Sequence, residues 1–381
     1  MKKTIIVLAA IAGIQTSAQA WNLTGNAGTT PNNNFIGTTD NQSLVFTTNN
    51  AEKMRITPEG RFIFYNIGTP GMVWDKNLFF GGGTDNTTTT NNVAFGMGTL
   101  TQVTGGGGNT AFGNNALSSF SNGLCNVAVG FNSMRHTDSG NYNTALGMNA
   151  LEYFKQGLGN IGVGNSAIGS GSLIGDFNVA VGTSALRYIN SGNYNTIIGG
   201  ESFRSLAKGS YNINIGHANA RLITSGSNNI IIGNFITTYN ATSPENELNI
   251  GNWIVGNNGT IGIGQFSTQL PADGISTDGA KYKLFVKDGI RTERVKVDIS
   301  ASNGWADYVF AKDYKLMPLK ELDHFISING HLPEVPTTEE AIKNGIELKE
   351  MNILLLKKVE ELTLYTLEQE KRIQALEKKI K

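Results

Sequence analysis

Four histidines, His136, His217, His324 and His331, are the side chains best placed to bind a metal or move a proton near neutral pH. They are scattered, and no pair has the spacing of a metal site. Cys125 is the single cysteine, so it forms no intrachain disulfide. It stands where neighbouring sequence copies carry Gly, Tyr, Phe or Asn, which reads as a turn residue rather than a nucleophile. Gly162-x-Gly164-x-x-Ala167 has the spacing of a dinucleotide fingerprint, and Gly105–Gly108 resembles the start of a phosphate loop. The first is only a repeat unit with Gly at its third position; the second lacks the following Lys-Ser or Lys-Thr. Asp85, in GGGTDNTTTTNN, brings one carboxylate, too few for a tight calcium site. Carboxylates do not pair along the repeats, as a glycosidase would need. The expectation is a chain with no catalytic, cofactor-binding or metal-binding residues. The enzymatic alternative, a β-solenoid acting on polysaccharide, requires acidic clusters on one face. A hexapeptide-type acyltransferase requires an apolar residue every six positions, which this chain lacks.

The elements that would have to position such groups are set by a repeat. Units start at Asn92, Asn109, Asn126, Asn143, Asn160, Asn178, Asn195, Asn212 and Asn229, in steps of 17 residues with one extra residue before Asn178. Position five is Gly in all nine, from Gly96 to Gly233, and a second Gly such as Gly123 recurs at position fifteen. A fixed period of this size marks a solenoid. The opening "NVAVG" alternates as a strand does, and the later pair Ala116-Leu117, echoed by Ser133-Met134 and Ala150-Leu151, reads as a second short strand. Gly at the corners suits positive φ. Each unit is therefore expected to be strand, corner, short strand, corner. A weaker tail continues through Leu248–Gly251 and Ile261–Gly264.

One such coil buries too few large side chains to offset the ordering of its backbone, so coils must stack. Stacking would align the Asn residues into a ladder. The small third position (Ala94, Ala111, Ala128, Ala145, Gly162, Ala180) suggests that large residues at positions two and four fill the inside. The Ala row would then form a flat outer stripe, suited to a close axis between three copies.

The N-[VT]-A-[VFLI]-G-x-x-A-L unit resembles the head repeats of trimeric autotransporter adhesins and of related phage tail-fibre proteins. The resemblance covers about residues 92–264 and implies a left-handed parallel β-roll, three chains wide. Those adhesins end in a membrane β-barrel; here the chain ends in EQEKRIQALEKKIK, which cannot span a membrane, so their export mechanism is not implied.

Composition agrees with β-structure rich in turns. Of 381 residues 47 are Gly, only 16% are charged, and the formal net charge is zero. No global field favours nucleic acid or an anionic membrane surface. Residues 1–20 read as a signal peptide: Lys2 and Lys3, the short apolar run TIIVLAAIAGI, and Ala18-Gln19-Ala20 before cleavage after Ala20. The mature chain would begin at Trp21, be secreted or held at the cell surface, and have no membrane span.

Residues 21–90 alternate apolar and polar positions between turn signals and read as a β-hairpin region. The β-roll occupies 91–265. Residues 266–300 read as a connecting β-hairpin turning at Asp288-Gly289, and 301–346 as a small α/β segment with a helix start at Thr337-Thr338-Glu339-Glu340. Residues 347–381 read as a coiled-coil helix. Asn352, Val359, Thr366, Ile373 and Ile380 fall at a, and Leu348, Leu355, Leu362, Gln369 and Leu376 at d. Branched a positions with Leu at d lean to a dimer; the larger roll argues for three chains. From Trp305 onward the chain is faintly similar to the C-terminal intramolecular chaperone of endosialidase-type phage tail spikes, in the stretch KDYKLMPLKEL. Asp313 matches the family's Asp, but Lys312 replaces the self-cleaving Ser, which implies a module that trimerises without cutting itself.

The whole reads as mainly β: a 17-residue-repeat parallel β-roll or solenoid followed by a small α/β segment and a C-terminal coiled-coil helix, with a homotrimer expected at three times the chain mass. The expected role is an exported structural or adhesive fibre, a homotrimer that binds itself and presents a surface to a receptor or glycan. Arg135, His136, Tyr142, Tyr153, Phe154 and Tyr188, expected at exposed corners, read equally as that surface or as solvated turns.

Overall fold

In a computed structural model, the described residues are 25–31, 33–64, 77–84, 89–238, 242–266, 270, 281–297 and 305–380. Residues 1–20, read above as a signal peptide, Trp21 and Asp85 lie outside them. The chain divides into two units, Met1–Gly289 and Ile290–Lys381.

The first unit opens with an antiparallel meander, β1 (Leu44–Thr48), β2 (Ala51–Ile56) and β3 (Phe62–Phe64). Asn49 and Asn50 make the first hairpin turn with φ of 50° and 55°, the left-handed pair that matches strand twist.

The solenoid follows. Its parallel strands are β4 (Leu78–Phe80), β5 (Val93–Phe95), β6 (Thr110–Phe112), β7 (Val127–Val129), β8 (Thr144–Leu146), β9 (Ile161–Val163), β10 (Val179–Val181), β11 (Thr196–Ile198), β12 (Ile213–Ile215), β13 (Ile230–Ile232) and β14 (Glu247–Ile250). Each pairs in register with the same positions one coil later, as Ala111 does with Ala128. The stack thus begins one coil before Asn92, with Asn77 leading β4. Of the tail, Leu248–Gly251 joins the stack through β14, parallel to β13, but Ile261–Gly264 does not continue it as a parallel coil. β14 pairs antiparallel with β15 (Ile254–Asn257), and β15 with β16 (Thr260–Ile263). The expected hairpin at Asp288-Gly289 is not formed: β17 (Leu284–Val286) pairs parallel with β16, and no described residue from 290 to 297 is in a strand.

Within a coil, only the first apolar piece is a strand. The second is a run of tight turns, with Asn115 and Leu117 at φ of 58° and 52°, and the same pair of left-handed residues recurs at Asn132 and Met134. Such a backbone cannot hold a strand's extended geometry. Single-residue bridges such as Asn122 to Ser139 complete the pairing on the opposite side of the coil.

Asparagine holds the stack together. The side-chain oxygen of Asn109 accepts from the backbone N–H of Asn126 at 2.9 Å and from its amide at 3.0 Å. The Asn126 amide also donates to the Gly140 carbonyl at 2.7 Å. The pattern repeats without a break from Asn77 to Asn229, where Glu247 takes the next place through its backbone N–H. The members from Asn92 to Asn229 are fully buried, so each amide's polar atoms depend on these bonds. Glycine is required at both corners. Gly113 has φ of 124°, and a Cβ there would stand 2.7 Å from the Gly130 oxygen. At Gly123 a Cβ would meet the Gly140 oxygen at 2.0 Å.

The inside and outside of the strand are the reverse of the expectation. Ala111 is 1% exposed whereas its neighbour Phe112 is 53% exposed. Ala94, Ala128, Ala145 and Ala180 likewise point inward, and positions two and four point out. The core is filled from the turn segment, by Leu117, Met134, Leu151, Ile168, Leu186 and Phe203 at position nine and by residues such as Phe120, Phe154 and Ile189 at position twelve. The extra residue before Asn178 lies in this turn segment, where Leu173 takes the inward place.

Among the described residues 305–380 the second unit has helices joined by turns and loops and no strand, so the small α/β segment shows no β-structure there. A 3-10 turn (Ala306–Phe310) is followed by α1 (Leu319–Asn329), α2 (Thr338–Asn344) and α3 (Leu348–Ile380). The start of α2 falls at the sequence-read position: Thr337 and Glu340 form a reciprocal capping box. Tyr365 on α3 donates to the Met317 carbonyl at 2.5 Å, and Tyr314 donates to the Glu361 carboxylate. Burial and that carboxylate push the Tyr314 hydroxyl's pKa well above its ordinary range.

Candidate functional site

The 17-residue period turns each position of the unit into a column along the solenoid, so candidate sites are columns rather than clusters. Position one is the buried Asn ladder. Positions two and four form two parallel outer rows: Val93, Val127, Ile161, Ile213 and Ile230 among the first, Phe95, Phe112, Leu146, Ile198 and Ile215 among the second, all exposed in the single chain. Thr110, Thr144 and Thr196 interrupt the first row. The second row opens with stacked rings: Phe95 and Phe112 have centroids 5.0 Å apart at 9°.

Position seventeen, just before the ladder Asn, carries a third exposed row. Phe177, Tyr194 and Tyr211 stack with centroids 5.5 and 5.2 Å apart. Each has positive φ, as do Cys125 and Tyr142 in the same column. Cys125 is exposed, in agreement with its reading as a turn residue.

The glycines of position fifteen floor an open groove of about 930 Å³. Its rails are side chains of positions fourteen and sixteen, including Gln156, Ile174, Leu124, Asn141, Leu158 and Asp176. The polar rail atoms serve the stack: Asn141 accepts from the Leu124 N–H at 2.8 Å, and Asp176 from the Leu158 N–H at 2.8 Å.

The corner residues named from sequence are not one site. Tyr142, Tyr153 and Tyr188 are exposed, but Phe154 is fully buried at position twelve, where it belongs to the core. His136 stacks on Tyr153 with centroids 4.9 Å apart. Near this pair lies Glu152, whose pKa is raised by burial against the opposing pull of His136, Arg135 and Arg187. His217 packs edge-on to Phe235, and His331 edge-on to Phe325. Among the described residues no three His, Cys, Asp or Glu side chains gather as metal ligands do. Lys312 and Asp313 are both exposed, just after the 3-10 turn.

What sequence reading missed is a cationic column at position ten. Arg135, Arg187, Arg204 and Arg221 all occupy it, the last three on successive coils. The signal was present in their 17-residue spacing, but arginines so far apart in sequence do not form a recognisable charge cluster.

These features define a class: a parallel β-solenoid of 17-residue coils, bound by an internal Asn ladder and followed by a helical unit. Compared with family models, with curated proteins and with solved structures, the chain matches none.

Proposed function

We propose that the protein is an exported, fibre-like structural or adhesive rod, assembled as a homotrimer and ending in a helical trimerisation module that does not cleave itself. The observation that carries this reading is the pair of apolar rows at positions two and four. They run along the parallel stack, with Thr110, Thr144 and Thr196 set into the first, and their members are exposed or half-buried in a single chain. A contiguous apolar face of this length marks an association surface. It replaces the Ala stripe as the face on which copies meet. Three copies are favoured because the repeat resembles the heads of trimeric adhesins.

The second unit supports self-association independently. Beyond Tyr365, every described residue of α3 from Thr366 to Ile380 is exposed. Along α3, Leu348, Leu355, Val359, Leu362, Ile373, Leu376 and Ile380 are exposed large apolar residues at the a and d positions. A helical extension of this kind is marginal alone and gains its seam from partner helices. Residues 1–20 supply the export signal in this reading, and the outer corners supply the surface presented to a receptor or glycan.

Light scattering during size exclusion tests the assembly. Three times the chain mass is expected for the protein, and a smaller mass for a variant carrying Val127→Glu, Leu146→Glu and Ile213→Glu. A wild-type monomer would overturn the reading. Mass spectrometry of the exported chain should find Trp21 at its N-terminus.

A further inference from the structure

We propose that the column formed by Arg187, Arg204 and Arg221 binds a linear acidic polysaccharide lying along the solenoid axis. The three arginines repeat at one coil's spacing, about 4.8 Å for strand-paired backbones. Their backbones are locked to that spacing: Tyr188 N–H donates to the Arg204 carbonyl, and Ser205 N–H to the Arg221 carbonyl, at 3.1 and 3.3 Å. They stand on the turn segment of each coil rather than on its strand, so the column is distinct from the apolar rows.

The side chains are held in place as well. The Arg187 guanidinium lies 5.2 Å from the Tyr188 ring centroid and that of Arg204 lies 5.8 Å from it. Arg187 also donates to the Ser170 hydroxyl at 3.0 Å. Glu201 pairs with Arg204 at 2.9 Å and lies 3.4 Å from Arg221. Yet it is the only carboxylate between Asn178 and Thr242, a stretch that holds Arg187, Arg204, Lys208 and Arg221. A chain with no net charge therefore concentrates cations on these coils. The Arg221 side chain remains 51% exposed.

The shape of the column selects the ligand class. Guanidinium groups bind carboxylate and sulfate through paired N–H donors. A row one residue wide matches a single chain with one acidic group per sugar, whose repeat is of the same order as the coil spacing. Duplex nucleic acid would need a broader basic patch that meets two backbones, and an anionic bilayer a wider basic face.

The test uses the full chain and polygalacturonate, a linear polymer with one carboxylate per sugar. Surface-immobilised polymer should capture the protein at low salt and release it as salt rises. The variant Arg187→Gln/Arg204→Gln/Arg221→Gln should bind roughly tenfold or more weakly, since it removes the charge-assisted bonds. Glu201→Gln, which frees Arg204 and Arg221, should bind several-fold more tightly; this gain cannot come from misfolding. Arg135→Gln, separated from the column by coils carrying Glu152 and Gly169 at position ten, should leave binding unchanged. No capture, unchanged binding by the triple variant, or equal binding to duplex DNA or to anionic phospholipid vesicles would overturn the proposal.

Discussion

Asn126 and Asn143 are joined by two hydrogen bonds to one atom: the Asn126 side-chain oxygen accepts from the Asn143 backbone N–H at 2.9 Å and from its side-chain amide at 3.0 Å. Asn alone among the short polar residues supplies an acceptor to the next coil and, from its amide, donors to the previous coil and to the Gly carbonyl of position fifteen. Replacing Asn126 by Ala strands the Asn143 N–H and the Gly140 carbonyl inside the stack. At about 1–3 kcal/mol for each of these two buried unpaired groups, the variant should lose about 2–6 kcal/mol in chemical denaturation. A loss under ~0.5 kcal/mol would mean that the ladder is not what holds the coils together.

Ala128 and Val127 test which face of the strand is inside. Ala128 is fully buried, so Ala128→Leu should overpack the coil and cost about 1–3 kcal/mol. Val127 is exposed and pairs with Thr110 and Thr144 on either side. Because its row neighbours are already Thr, Val127→Thr should cost less than Ala128→Leu, under about 1 kcal/mol even with the face covered by a partner. Thermal melts of the two variants give the comparison; the opposite ranking would restore the outward Ala row.

The capping box of α2 gives a pH dependence of known sign. The Thr337 backbone N–H and then its hydroxyl hold the Glu340 carboxyl below its ordinary pKa. The folded pKa is thus the lower one, so the box contributes fully above the carboxyl's ordinary value and loses its contribution as pH falls through the folded value. The Ala341 Cα shift should move toward coil as pH falls below the carboxyl's ordinary range. Glu340→Gln keeps a box-competent side chain and should flatten that limb; an acid shift that persists in this variant would assign it to another group.

Leu355 and Leu362, at d positions on α3, are exposed in the single chain. Leu355→Asp/Leu362→Asp should lower the mass of the assembly and remove the dependence of helical circular dichroism on protein concentration. Helicity that is independent of concentration in the unsubstituted chain would leave α3 without a coiled-coil partner.

Several elements were legible in the residues before any coordinates. The period, the corner glycines, the Asn ladder, the helix start at Thr337 and the long terminal helix each rest on local rules: spacing, positive φ, or a side chain bonding a neighbouring backbone. These rules could not settle features that depend on what lies across the coil. Alternation told that positions two and four share a face, but a three-residue strand reads alike from either side. The second apolar pair matched a strand by composition, while stacking put Leu117 and its equivalents into left-handed turns.

The amino-acid sequence by itself determined that this chain stacks 17-residue coils and where each corner falls, because a repeat acts on every copy through the same short-range geometry. Only the tertiary structure decided which residues the stack encloses. The inward slot of the strand abuts the position-nine side chain of the preceding coil: a Cβ at Gly162 would lie 3.3 Å from carbons of Leu151. In most coils that slot takes nothing larger than Ala; Ile231 fills it where the preceding coil has only Ala220 at position nine, whereas Ile197 does so although the preceding coil has Leu186 there. Volume across a coil is shared between residues distant in sequence, so the Ala row went inward, the large strand residues went out, and three arginines far apart along the chain came into one column.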